Sequence, residues 1–138
     1  MNEKILVIED DPSALRFIEY TLKLEGYQVL SAKDGLEGIK KARDEHPSLI
    51  VLDIMLPGLD GYALCQQLRQ KPETSLLPIL MLSAKARQAD KDIGLRMGAD
   101  DYLTKPADPA VILAKVKALL AGTSQIISKN PDIEKSQS

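Results

Sequence analysis

The stretch Leu49-Ile50-Val51-Leu52-Asp53 is a short run of aliphatic residues that ends abruptly on a carboxylate. Three further apolar runs are also followed at once by a reactive side chain. They are Lys4-Ile5-Leu6-Val7-Ile8 before Glu9-Asp10-Asp11, Ile79-Leu80-Met81-Leu82 before Ser83, and Tyr102-Leu103-Thr104 before Lys105-Pro106. Such runs, rich in Ile, Val and Leu and separated by helical patterns, predict strands buried on both faces of a parallel sheet. The carboxyl ends of these strands lie along one edge, where open α/β folds bind ligands.

Strand and helix patterns alternate along the whole chain and make five βα units. Because parallel crossovers are right-handed, helices must cover both faces of the sheet, so we predict a single-domain, doubly wound α/β fold. In the second helix Leu36, Ile39 and the stem of Lys40 are expected to face inward. Gly94 lies inside the fourth helix and costs it about 1 kcal/mol relative to Ala. The fifth helix is expected to end at Gly122.

Composition limits the class of protein. The length of 138 residues suits one domain, predicted at residues 1–122, while the polar residues 123–138 read as a flexible tail or the start of a linker. A net charge of −2 and a pI of about 5.4 argue against direct nucleic-acid binding, and no apolar stretch reaches the ~20 residues of a membrane span. A strand pattern starts too early for a signal peptide, and Cys65 has no internal disulfide partner, so we expect a cytoplasmic protein.

Three carboxylates are expected to lie side by side at the sheet edge: Glu9, Asp10 and Asp53. Like charges at close range repel one another unless a cation intervenes, and Lys105 supplies only one positive charge. A hard divalent cation such as Mg²⁺ answers this need, because it takes carboxylate oxygens, retains waters and completes its shell with phosphate. Asp11, which precedes a proline, is better explained as a helix cap.

Asp53 has a second potential role as a nucleophile. A carboxylate beside Mg²⁺ and an ammonium can attack a phosphoryl group in line and form an aspartyl phosphate. Lys105 would neutralise the moving phosphoryl oxygens, and Ser83 would donate a hydrogen bond to one of them. Taken singly, Ser83 and Lys105 are more simply a strand-end hydroxyl and a solvated charge. As a set at strand ends, they favour phosphoryl transfer.

From about Glu3 to Ala121, the chain resembles the receiver (phosphoacceptor) domains of two-component response regulators. The resemblance rests on residues 5–11 (ILVIEDD), 51–61 (VLDIMLPGLDG), 81–85 (MLSAK) and 98–106 (GADDYLTKP). It implies a five-stranded sheet of order 2-1-3-4-5 with Asp53 as the phosphoacceptor. It also implies Mg²⁺ bound by Asp10, Asp53 and the Met55 carbonyl, with Glu9 acting through water.

The resemblance further implies a cis bond between Lys105, the phosphate-binding lysine, and Pro106. Ser83 and Tyr102 would form a switch pair, in which Tyr102 rotates inward as the Ser83 hydroxyl is drawn toward the phosphoryl group. The implied partners are a histidine kinase or phosphotransfer protein as phosphodonor and a downstream effector. A phosphorylation-dependent homodimer through the fourth helix, fifth strand and fifth helix is a further implication. Val111 stands where the winged-helix-linked receivers usually carry an acid, which leaves open a different partner surface.

Two other function classes remain. A Mg²⁺-dependent phosphatase with an aspartyl nucleophile usually carries a second aspartate two residues later, where this chain has Met55. A receiver-like domain that binds partners without phosphate would be favoured by loss of Glu9, Asp10, Asp53 or Lys105, and all four are present.

Overall fold

The structure is a computed structural model that describes residues 3–56, 60–85 and 87–129. Five strands alternate with five helices in this part of the chain. The strands are β1 (Lys4–Ile8), β2 (Gln28–Ala32), β3 (Leu49–Leu52), β4 (Ile79–Ser83) and β5 (Asp101–Thr104). The helices are α1 (Pro12–Leu24), α2 (Gly35–Glu45), α3 (Gly61–Gln70), α4 (Gln88–Arg96) and α5 (Pro109–Lys129). No helix among these residues is long and apolar enough to cross a membrane.

The strands form one parallel sheet in the order β2-β1-β3-β4-β5, which confirms the predicted topology. The register aligns the ends of neighbouring strands: Ile8 pairs with Leu52, and Ser83 pairs with Thr104. The residues that follow these positions therefore meet at one edge of the sheet.

Helices cover both faces of the sheet, as right-handed crossovers require. Alternate residues of a strand point to opposite faces, so the sheet supplies two apolar cores. One core joins Leu6, Ile8, Ile50, Leu52, Ile79 and Met81 to α2 and α3 through Ala42, Leu64, Cys65 and Leu68. The other joins Ile5, Val7, Leu49, Val51, Leu80 and Leu82 to α1 and α5 through Ile18, Leu22, Ile112 and Val116.

Aspartates cap the first three helices. Asp11, Asp34 and Asp60 each accept a hydrogen bond from a backbone N–H in the first turn, at 2.8 to 2.9 Å. These bonds satisfy donors that the helix cannot pair internally. The predicted cap at Asp11 is thus confirmed, and it fixes where α1 begins after the end of β1.

The inward face predicted for α2 was partly wrong. Leu36 is 80% exposed, and Lys40 forms an exposed ion pair with Asp44. The buried face contains Gly35, Gly38 and Ala42 instead, with Ile39 partly buried against the core. A Cβ built on Gly38 would lie 2.6 Å from Ile8 Cδ1, so the helix approaches the sheet through its small residues. A pattern read from large apolar residues misses such a face.

The expected end of the last helix was also wrong, because α5 continues past Gly122 to Lys129. A glycine ends a helix when it adopts a positive φ. Among the described glycines only Gly26 and Gly98 have one, so Gly122 is an interior helical residue. The predicted tail at residues 123–138 thus begins inside this helix, and its residues 130–138 lie outside the described part of the chain.

Candidate functional site

The acidic residues after β1 and β3 meet at the sheet edge. The Asp53 N–H donates to the Ile8 carbonyl at 3.0 Å, which continues the pairing of the two strands and brings Asp53 beside Glu9. Carboxylate oxygens of Glu9, Asp10 and Asp53 lie within 4.8 Å of one another. Glu9 and Asp53 are buried, whereas Asp10 is exposed. The predicted convergence of the three carboxylates is therefore observed.

Lys105 reaches the same point from the end of β5. Its ammonium lies 2.6 Å from Glu9 Oε1 and 3.5 Å from Asp53 Oδ2. The backbone N–H of Lys105 donates to the Ser83 carbonyl at 2.8 Å, and the bond to Pro106 is cis, as expected. The other Glu9 oxygen, Oε2, accepts the Asp11 N–H at 3.1 Å. Both oxygens of the buried Glu9 carboxylate are thus already bonded within the chain.

The charges of this cluster do not balance. Burial raises the pKa of Glu9, although the hydrogen bond from Lys105 opposes the rise. Burial disfavours the charged form of Lys105, but its hydrogen bond to Glu9 and the charge of Asp53 outweigh burial and raise the Lys105 pKa. The cluster therefore sets three carboxyl groups against one ammonium, whose charged form its partners favour. Oxygen donors with excess negative charge and one exposed member fit a hard divalent cation such as Mg²⁺.

Met55 borders the carboxylates on the exposed side. Its N–H donates to Asp53 Oδ1 at 3.3 Å, and its side chain is 57% exposed. Together with Asp10, Tyr62 and Lys85, it lines an open cavity of about 470 Å³. Ile54 and Met55, which directly follow Asp53, both line this cavity, so the chain is open to solvent next to the carboxylate cluster.

The predicted switch pair lies between this cluster and α4. Ser83 is fully buried, and its Oγ accepts the Lys85 N–H at 3.2 Å. Tyr102 is only 7% exposed, and its hydroxyl donates to the Lys85 carbonyl at 2.8 Å. The tyrosine expected to rotate inward on phosphorylation is therefore already inward. A Cβ on Gly94 would lie 2.9 Å from the Tyr102 ring, so α4 rests directly on it.

Gly61 is a site residue that the sequence did not reveal. In the sequence, the pairs Pro57-Gly58 and Asp60-Gly61 are typical of turns, in which a glycine supplies a positive φ where one is needed. Gly61 instead has no positive φ and is the first residue of α3. A Cβ there would lie 2.5 Å from Ile54 Cα and 2.7 Å from the Asp53 carbonyl oxygen. The glycine allows α3 to pack on the backbone that carries Asp53. The Pro57-Gly58 pair lies outside the described residues.

Comparison with known proteins points to one family. The model of the response regulator receiver domain matches residues 5–117. The alkaline phosphatase synthesis transcriptional regulatory protein PhoP of Bacillus subtilis is 52% identical over 120 residues, which are 87% of this chain and 49% of PhoP. The chain thus spans about half the length of the curated relatives it matches.

Solved structures give the same result. The response regulator receiver domain protein from Methanospirillum hungatei superposes with a TM-score of 0.84 at 29% identity, covering 91% of this chain and 98% of that chain. The receiver domain of the sensor histidine kinase PA1611 from Pseudomonas aeruginosa gives a TM-score of 0.82 at 31% identity, covering 88% and 99%. That structure contains a magnesium ion coordinated in its active-site cleft.

Proposed function

The chain belongs to the response regulator receiver domain family of two-component signalling, and from this membership we propose that Asp53 is its phosphoacceptor. The observation that supports this assignment most strongly is the environment of Asp53. This buried carboxylate lies at a strand end, 3.5 Å from the Lys105 ammonium and beside Glu9 and Asp10. The cation can neutralise charge on a phosphoryl group that Asp53 attacks, and the acidic neighbours can hold the divalent ion that such a transfer uses.

The proposed reaction transfers a phosphoryl group from a phosphohistidine of a histidine kinase or phosphotransfer protein. A carboxylate oxygen of Asp53 attacks phosphorus, the phosphorus–nitrogen bond breaks, and the departing imidazole takes up a proton from solvent. Lys105 neutralises charge on the transferred phosphoryl oxygens, and the Ser83 hydroxyl donates to one of them after the loop that follows β4 moves. The product is an aspartyl phosphate that reports a signal.

Mg²⁺ is the cofactor that these donors suit. Asp10, Asp53 and the Met55 carbonyl would hold it, and Glu9 would act through water. The indirect role suits Glu9, because its two oxygens already accept hydrogen bonds from Lys105 and the Asp11 N–H. When bound, the ion supplies positive charge against the phosphoryl oxygens and so offsets the excess of carboxylates.

The output is proposed to pass through the surface formed by α4, β5 and α5. Tyr102 lies beneath this surface, and the exposed residues Ile93, Leu95 and Val111 give it apolar character. A downstream effector or a second copy of the chain would read the surface. Asp101 forms an ion pair with Lys115 of the same chain at 2.8 Å. A dimer in which Asp101 pairs with the second copy would first have to break this ion pair. We propose a signalling role in the cytoplasm, not a turnover enzyme.

The assignment is tested by incubating the protein with acetyl phosphate and Mg²⁺ and recording the intact mass. One phosphate should be added, and hydroxylamine should remove it. Asp53→Asn should abolish the addition, whereas Asp44→Asn, which changes an exposed carboxylate on α2, should leave it intact. Labelling of Asp53→Asn at the wild-type rate would refute the assignment of Asp53 as phosphoacceptor. Labelling that persists in EDTA would refute the requirement for Mg²⁺. Continuous release of phosphate without an accumulated adduct would favour the phosphatase.

A further inference from the structure

Two tyrosine hydroxyls, carried by two different elements, hold the start of α4. Tyr102 of β5 donates to the Lys85 carbonyl in the loop before the helix, at 2.8 Å. Tyr62 of α3 donates to the Asp90 carbonyl in the first turn of the helix, at 3.1 Å. The first contact belongs to the switch pair already described. The second connects α4 to the helix that starts beside the phosphoacceptor.

Tyr62 is well suited to remain a hydrogen-bond donor. Burial, together with the nearby Tyr102 hydroxyl, raises the pKa of Tyr62 to about 12, so its phenol is protonated at neutral pH. On the cavity side, the Lys85 ammonium lies 5.6 Å from the centre of the Tyr62 ring, within the range of a cation–π contact. The ring is therefore held from one side while its hydroxyl reaches α4.

The other end of this connection is the backbone at Asp53. Tyr62 follows Gly61, whose N–H donates to the Ile54 carbonyl at 2.7 Å and whose Cα has no room for a side chain against that backbone. Through these contacts, a shift of the residues next to Asp53 would be passed to the first turn of α3 and to the Tyr62 ring. The chain of contacts runs from Asp53 through Gly61 and Tyr62 to Asp90 without passing through Ser83.

We infer that Tyr62 is a positioning residue of the switch, which stabilises α4 in its place over the inward Tyr102 and gives α4 a second route to Asp53. This inference rests on the proposed function, because it assigns Asp53 as the residue that changes. Physical contact alone does not establish coupling, so the route must be measured as an energy.

The test uses Tyr62→Phe, which removes only the hydroxyl, in the full chain without phosphate. Hydrogen exchange of the amides of residues 88–96 should accelerate about fivefold, the factor that corresponds to the net contribution of one typical hydrogen bond. Exchange in α1 should not change, because Tyr62 belongs to another helix. Tyr20→Phe, at a 66% exposed position on α1, is the matched control and should leave α4 unchanged. Equal exchange in Tyr62→Phe and wild type, or uniform acceleration in both helices, would overturn the inference.

A double-mutant cycle tests whether the second route is separate. In a Tyr102→Phe background, Tyr62→Phe should still accelerate exchange in α4, by a factor that differs from the wild-type one only as far as the two neighbouring hydroxyls interact. No further acceleration would mean that Tyr62 acts only through Tyr102, which would refute a second route. Beryllofluoride then checks the link to Asp53, because its addition should change the amide chemical shifts of α4. In the protein without beryllofluoride, Tyr62→Phe should move these shifts away from the values of the beryllofluoride-bound wild type. An unchanged exchange rate in Tyr62→Phe refutes the positioning role of Tyr62. Failure of acetyl phosphate to label the wild type refutes the proposed function instead.

Discussion

Replacing Gly94 with alanine should destabilise the protein, although the substitution favours an isolated helix. In a helix interior, alanine is better than glycine by about 1 kcal/mol. In this fold, however, a Cβ at position 94 would lie 2.9 Å from Met81 Sδ and 2.9 Å from Tyr102 Cδ2. Met81 is fully buried, and the Tyr102 ring is held by its hydroxyl, so neither neighbour moves freely. Overpacking of this kind costs about 1–3 kcal/mol.

The two effects oppose each other, and the steric cost is the larger. A cost of about 2 kcal/mol less a gain of about 1 leaves Gly94→Ala about 1 kcal/mol less stable than wild type. Gly122 supplies a matched control, because it also lies inside a helix and a Cβ there would meet nothing within 4 Å. Gly122→Ala should therefore show the helical gain alone and be about 1 kcal/mol more stable.

Urea unfolding followed by circular dichroism measures both changes. The same substitution at two helical glycines should shift the unfolding midpoint in opposite directions, with an unchanged dependence on urea. If Gly94→Ala were stabilised as much as Gly122→Ala, the close contact between α4 and the sheet would not constrain position 94. The account of α4 resting on Tyr102 would then be wrong.

Three further predictions follow from buried contacts. In Gly61→Ala the new Cβ would lie 2.5 Å from Ile54 Cα, so acetyl phosphate should label Asp53 more slowly by intact mass; labelling at the wild-type rate would contradict a role for this packing. The Arg69 guanidinium donates to the carbonyls of Gly98, Ser75 and Leu77, so Arg69→Met should lower the free energy of unfolding by about 2 kcal/mol in urea, and a neutral effect would contradict it. Burial raises the pKa of the Cys65 thiol to about 11, whereas the ordinary value is 9.0. Because the unfolded thiol loses its proton first, the free energy of unfolding should fall as pH rises from about 9 to 11, and Cys65→Ala should lose this component.

The fold was predictable because its strongest signal is local. Each aliphatic run, such as Leu49-Ile50-Val51-Leu52, is long enough to be a strand and too short to be a helix, and the alternation with helical patterns fixes the class. The sequence indicates less clearly which face of a helix packs against the sheet. For α2 the large residue Leu36 suggested the wrong inner face, because the real one is built from glycine and alanine that let the helix approach the sheet.

The site was predictable as a set of strand ends but not in its contacts. A sequence does not show that Lys105 lies closer to Glu9 than to Asp53, since this depends on side-chain conformations across three strands. Glycines are ambiguous for a similar reason. Gly61 is typical of a turn in the sequence, yet it is where the backbone of α3 packs against the backbone next to Asp53. Gly94 is typical of a weak position in a helix, yet it is where the backbone of α4 packs against the Tyr102 ring.

The structure also gives a physical reason to expect that α4 is the helix that moves when Asp53 is phosphorylated as proposed. Its N-cap, Arg87, makes no side-chain capping hydrogen bond, whereas α1, α2 and α3 each have an aspartate cap. Its buried residues are Asp90 and Gly94, while its aliphatic side chains Ile93 and Leu95 are 36% and 47% exposed. With little apolar area to hold it, α4 has the lowest cost of displacement among the four helices so compared. The hydrogen bonds from Tyr62 to α4 and from Tyr102 to the loop before it are then a larger share of what fixes the helix, and we expect small changes next to Asp53 to move it.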